Sequence, residues 1–216
     1  MAVADCVITI DDAMAVLEDE AEEDMLRLAG VGDGSNLSGG ALDTVRARLP
    51  WLVINLFTAS ISAFVISQFE AMIALIVSLA AVMPIVSSTG GIAGTQSLAV
   101  SVRALATRDL TSANAARVVR REVLAGVLAG VLNGVGLALI LGLGGALLYG
   151  DVWLGVVLGL AMITNQVVAA LGGVMVPLTL ERWGLDPALA SGTFVTTLTD
   201  VMGYLAFLGL ATWLMT

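Results

Sequence analysis

Five stretches of this chain, at roughly 50–69, 71–93, 122–149, 152–180 and 187–214, are long, apolar and almost free of charge. About 20 apolar residues in a helix cross the hydrocarbon core of a bilayer. Inside that core every backbone N–H and C=O must find its partner within the protein, which leaves helices or closed barrels. Runs this long, without alternation of apolar and polar residues, select helices. The sequence therefore predicts an all-α membrane protein with five transmembrane helices. Composition agrees: 58% of the residues are hydrophobic and 12% charged, more apolar surface than a soluble domain of this size can hide.

The charge is concentrated at one end. The first 49 residues hold eleven of the eighteen acidic residues and three of the nine basic ones. Within them, "CVITIDDAMAVLEDEAEEDMLRLAG" reads as a short β-branched strand, a helix capped by Asp11 and Asp12, and an apolar side made of Ala13, Met14, Leu17, Ala21, Met25 and Leu28. The Gly/Ser stretch "VGDGSNLSGG" reads as a linker, and "ALDTVRARLP" as a juxtamembrane helix ending against Pro50. The chain thus divides into a small acidic head (1–30), a linker and connecting helix (31–49) and a membrane domain (50–216).

The acidic start is unlike a signal peptide, so the head is expected in the cytoplasm. Arginine placement points the same way. Arg46 and Arg48 precede the first span, Arg103, Arg108, Arg117, Arg120 and Arg121 fall between the second and third, and Arg182 between the fourth and fifth. The opposite loops, near Glu70 and Asp151, carry no basic residue. Five spans then put the N-terminus inside and the C-terminus outside, in a multi-pass protein of the cell (inner) membrane.

One cysteine, Cys6, and no histidine remove an internal disulfide and the usual zinc and copper ligand sets. A metal handled here is expected to be a hard, oxygen-seeking one. An enzyme is not expected, since there is no histidine, no activated nucleophile pair and a single deep carboxylate.

That carboxylate is Asp200, about 20 Å along the helix from Pro187 and so near the bilayer midplane. A charge at such depth costs several kcal/mol unless it meets water, a partner or an ion. It lies on a stripe with Thr193, Thr196 or Thr197, and Gly203 or Tyr204 at helical spacing. A water-filled pathway or ion site competes here with a neutral, hydrogen-bonded structural aspartate. The second span, "MPIVSSTGGIAGTQSLAVSVRALATRDL", adds a proline, glycines and hydroxyls, a weakened backbone tolerated only against protein or a water-filled cavity. Gly90 and Gly94, and then Gly126, Gly130 and Gly134, are spaced for close helix packing. Asn133 and Asn165 are expected to tie helices together.

This second-span block, with "RLPWL", "RREVLAGVLAGVLNGV" and "LDPALASGTFVTTLTD", resembles the MgtE family of magnesium channels in order and spacing over nearly the whole chain. The resemblance implies a homodimer, five helices per subunit and a central pore lined by spans two and five. It implies that Asp200 binds hydrated Mg2+, both transported ion and pore ligand, with Ser88, Gly91, Thr95, Thr196, Thr197 and Gly203 as pore neighbours. It likens residues 1–30 to the tail of a CBS domain and 31–49 to a plug-like connecting helix, the chain then being a piece of a longer protein. Departures occur at Ile92, where the family commonly has Asn, and at Gly192 and Thr193, where it often has Asn-Pro. Passive Mg2+ uptake is the function implied. The rivals are a carrier for another divalent cation such as Co2+, a sodium-coupled Mg2+ carrier, and a non-conducting subunit that only dimerises. The expected partners are a second copy, the lipid bilayer and a divalent cation, with no nucleic acid.

Overall fold

The computed structural model describes residues 9–29, 40–110, 113–148, 152–184, 186–190 and 192–215. Among these residues the only regular structure is helical: α1 (Ile10–Leu28), α2 (Ala41–Ser67), α3 (Glu70–Leu75), α4 (Ser78–Ala106), α5 (Ala115–Leu148), α6 (Val152–Arg182), a 3-10 turn (Pro187–Ala190) and α7 (Gly192–Met215). Four of these, α2, α4, α6 and α7, are long and apolar enough among the described residues to cross a membrane. Helix α5, at 34 residues, carries the third predicted span.

The boundaries differ from the sequence reading in ways that have local causes. The second predicted span is broken at Ile76, where φ is −127° and ψ is 84°, an extended conformation that a β-branched residue tolerates. Helix α4 then runs on to Ala106, past the apolar limit at residue 93, because Thr95, Gln96, Ser97 and Ser101 lower hydropathy without stopping a helix. Arg103 and Arg117 to Arg121 consequently lie within α4 and α5 rather than in a loop. Helix α2 also passes straight through Pro50, so the connecting helix and the first span are one rod. Proline costs that rod one backbone hydrogen bond where the polar end meets the apolar one.

Helix α1 is capped by Thr9, not by Asp11 or Asp12. The Thr9 Oγ1 accepts the Asp12 N–H at 3.2 Å, and the Asp12 carboxylate accepts the Thr9 N–H at 2.9 Å and its hydroxyl at 2.6 Å. Those bonds, the hydroxyl's first, hold the Asp12 carboxyl below the ordinary aspartate range. The predicted strand before it lies mostly outside the described residues. Of the expected apolar stripe, Met14, Leu17 and Met25 are exposed and Leu28 packs inward.

Helix α6 forms the centre. Of its apolar stretch 56% is buried, against 11% for α2, which lies chiefly against α7. Leu154, Val157, Leu158 and Ala161 of α6 meet Leu79, Val82 and Val86 of α4 and Phe207, Leu208 and Ala211 of α7 in the largest core. A second core joins Leu98 and Val102 to Ala188 and Val195, and Leu28 of α1 seats on it. Close approach depends on glycine. A Cβ at Gly173 of α6 would lie 2.7 Å from the Gly94 carbonyl oxygen and 2.8 Å from the Leu98 nitrogen, both backbone atoms of α4. Gly126 and Gly130 of α5 likewise pack on the α6 backbone, at 2.8 Å from the Gln166 oxygen and 2.7 Å from the Ile163 Cα. The side-chain position of Gly134 is outside the described set.

Gly173→Ala should therefore lower the stability of the detergent-solubilised protein by about 1–3 kcal/mol, because neither backbone can yield cheaply. Gly209→Ala, where an added Cβ meets nothing within 4 Å, should be neutral or stabilising. Thermal unfolding of the two variants side by side checks the difference.

Candidate ion site at Asp200

Asp200 sits in the third turn of α7, facing α4. Its Oδ1 accepts a hydrogen bond of 2.5 Å from the Ser87 hydroxyl. The carboxylate is only partly buried, and it borders a cleft of about 360 Å3 lined by Ser87, Ser88, Gly91, Ile92, Thr95, Thr196 and Asp200. Of the residues expected from sequence, Ser88, Gly91, Thr95 and Thr196 come together with Asp200. Thr197 and Gly203 are not part of the cleft lining. Thr197 is turned to one side and bonds back to the Thr193 carbonyl at 2.6 Å, while Gly203 faces α6.

The cleft chemistry is that of oxygen acceptors. Thr95 and Thr196 spend their hydroxyl protons on the carbonyls of Ile92 (2.9 Å) and Gly192 (2.7 Å) in their own helices. Their lone pairs are what remain for the cleft. Gly91 opens the floor, since a Cβ there would press on Thr196 Cγ2 at 3.3 Å. Ile92, 56% exposed, supplies an apolar rim. Pro84, one turn before Ser87 and Ser88, removes a helical N–H from α4 next to the site. No group of three or more His, Cys, Asp or Glu side chains among the described residues forms a chelating cage. One carboxylate ringed by hydroxyls fits an ion that keeps its water.

Asn165 of α6 is what holds the two halves in register. Its Nδ2 donates to the Val86 carbonyl at 2.8 Å, one residue from Ser87. A Cβ at Gly90 of α4 would come within 2.1 Å of that nitrogen, and a Cβ at Gly203 of α7 within 2.7 Å. The carboxamide thus fills a slot that only two facing glycines leave open, and it is 1% exposed. Asn165 ties helices as expected, whereas Asn133 is exposed on α5 and makes no side-chain hydrogen bond among the described residues. The sequence singles out Ser88 and not Ser87, because a serine pair does not say which member faces the acid.

The polar head reaches the same helix from the other side. Arg27 of α1 pairs with Asp186 immediately before the 3-10 turn, and with Glu23 of its own helix. Asp186 also accepts the Ala188 N–H at 2.9 Å, tightening the turn that leads into α7.

Long apolar helices around a half-open cleft of one carboxylate and several hydroxyls define a multi-pass helical membrane protein with an intramembrane polar site. The chain belongs to the MgtE family, whose model, described as a divalent cation transporter, matches residues 83–210. Similar proteins include the magnesium transporter MgtE of Enterococcus faecalis, 37% identical over 97% of this chain, and that of Thermus thermophilus, 36% identical over 95%. The Bacillus subtilis magnesium transporter MgtE is 33% identical over 95% of this chain. The chain spans 45% of the length of each of these relatives.

If the cleft is wetted, cysteines placed in it react with water-soluble thiol reagents. In a Cys6→Ser background, Ser88→Cys and Thr95→Cys should label in membranes, and Thr199→Cys, fully buried, should not. Equal labelling of all three would remove the cleft as an aqueous surface.

Proposed function

We propose that this chain is the membrane part of a magnesium transporter, in which two copies face each other across a two-fold axis and conduct Mg2+ between their Asp200 clefts. The observation that carries the proposal is Asp200 held by Ser87 in an open, hydroxyl-lined cleft of a chain whose family is described as divalent cation transporters. The names of its relatives supply the ion.

Physical argument favours the dimer. A partly exposed carboxylate facing hydrocarbon costs several kcal/mol, and covering the open side of the cleft with the same surface of a second copy removes that cost. Two carboxylates brought together repel when empty, and a divalent cation relieves the repulsion. Mg2+ dehydrates reluctantly and is commonly held through one or two carboxylates with several waters retained. A pair of clefts lined by acceptor oxygens suits such a hydrated ion, and spacing rather than a dry cage sets selectivity.

Five crossings per subunit, with α5 as the third and the N-terminus in the cytoplasm, complete the proposed arrangement in the inner membrane. Residues 1–30 then act as a CBS-like cytosolic element and 31–49 as the connection to the pore, residues 50–216 forming the pore domain. The Arg27–Asp186 pair, which seats α1 beside the turn leading to the Asp200 helix, supports that coupling. Uptake is passive. An inside-negative potential contributes about 2.3 kcal/mol per charge per 100 mV, so about 4.6 kcal/mol for a divalent cation.

In proteoliposomes, Mg2+ entry through the wild-type chain should follow the membrane potential and persist without a sodium or proton gradient. Asp200→Asn should reduce entry at low Mg2+ by tenfold or more, an effect of about 1.4 kcal/mol or above on binding. Entry that requires a sodium gradient favours a coupled carrier. Preference for Co2+ over Mg2+ changes the ion, and intact dimers without flux leave a subunit that only associates.

A further inference from the structure

A second polar cleft lies on the other side of α4, about 13 Å along that helix from Ser87, by nine residues at about 1.5 Å each. It has a volume of about 190 Å3, with walls from α4 and α5 and a floor from α6. Helix α5 packs on α6 rather than on α4, so the two walls stand apart. What spans the gap is one long hydrogen bond, from Ser97 Oγ to Glu122 Oε2 at 3.3 Å. Gln96 of α4 and Gln166 of α6 complete the polar lining.

Three properties separate this cleft from a packing defect. Glu122, near the start of α5, keeps only 16% of its side chain exposed, so its carboxylate is held close to protein and not in bulk water. Gln166 is 4% exposed, and no hydrogen bond among the described residues engages its carboxamide. Its carboxamide is therefore free to face the cleft that it lines. The small residues Ala93, Ala125, Gly126 and Ala129 keep the remaining space open.

The donor set is one carboxylate oxygen pair, one hydroxyl and two carboxamide oxygens, all hard ligands. At about 30 Å3 per water, the volume admits about six water-sized groups. That is the size of a cation with its first hydration shell, and one carboxylate with neutral oxygens around it is the kind of site that holds Mg2+ through retained water. Zinc and copper want nitrogen or sulfur, which the lining lacks. Arg121 currently compensates Glu122 from outside: its guanidinium is 3.2 Å from Oε1, and the side chain is 73% exposed. A cation in the cleft would take over that role and release the arginine.

We infer that the Glu122–Ser97–Gln166 cleft binds a hydrated divalent cation, off the Asp200 site and toward the arginine-rich end of the membrane domain. The site stands on its own residues and survives if the reading of Asp200 fails.

The test uses Mn2+ as probe, on the full chain in lipid nanodiscs with Cys6→Ser and Asp200→Asn already in place, so that neither the native thiol nor the first site contributes. A nitroxide on Val100→Cys, at the exposed rim of the cleft, reports nearby Mn2+ by dipolar broadening. The expected result is saturable broadening that Glu122→Gln abolishes and Gln166→Leu weakens. Arg121→Gln should tighten it about two- to fivefold, the worth of one exposed charge pair. A merely structural Glu122 would not respond to Arg121 in that direction. Broadening unchanged by Glu122→Gln overturns the inference. So does displacement of Mn2+ by sodium at equal concentration, which would make the site monovalent. Should Glu122→Gln fail to fold, the Arg121→Gln arm decides alone, since that side chain lies outside the packed surface.

Discussion

The seam along which α4 meets α6 and α7 is the constraint from which the rest follows. At Gly173 the backbones of α6 and α4 come so close that no side chain fits between them. A turn earlier in α4, the Asn165 carboxamide occupies the slot between Gly90 and Gly203 and bonds the Val86 carbonyl. This fixes both the distance and the rotation of α4 against α7. Ser87 follows Val86 in the chain and so arrives opposite Asp200. Membrane helices gain little from apolar contact with one another compared with lipid, so small residues and buried amides are the available means of fixing such a seam.

That geometry sorts the small and polar residues of α4 into three faces. Gly90 and Gly94 turn inward, toward Asn165 and Val195, and serve packing. Ser88, Gly91 and Thr95, one step around the helix, turn toward the open cleft. A third set, Gln96 and Ser97, faces α5 and Glu122. One helix therefore lines two polar clefts while Leu79, Val82, Val86, Leu98 and Val102 pack into the cores. Helix α7 divides the same way, with Thr196 and Asp200 to the cleft and Val195, Thr199 and Gly203 to the interior.

Much of this was legible in the sequence. Apolar length shows where the membrane helices lie, and a lone deep carboxylate on a hydroxyl stripe marks Asp200. Period alone cannot choose among neighbours 100° apart, so Thr197 and Gly203 read as companions of Asp200 in the sequence while Ser87 does not stand out. Hydropathy also ends α4 at residue 93, because it registers polarity and not helix stability. Hydropathy registers neither the break at Ile76 nor the unbroken passage through Pro50. The Glu122 cleft was hidden for a different reason: its polar residues come from three helices, and each looks unremarkable in its own span.

The proposal places a hydrated divalent cation between the Asp200 side chains of two copies of the chain. Structure determination in lipid nanodiscs with Mn2+ present tests it most directly. The account predicts a dimer with a metal peak on the two-fold axis, about 4 Å from a carboxylate oxygen of each Asp200, the distance set by one intervening water. A subunit whose Asp200 cleft faces lipid, or a dimer whose axis carries no metal near Asp200, would contradict it.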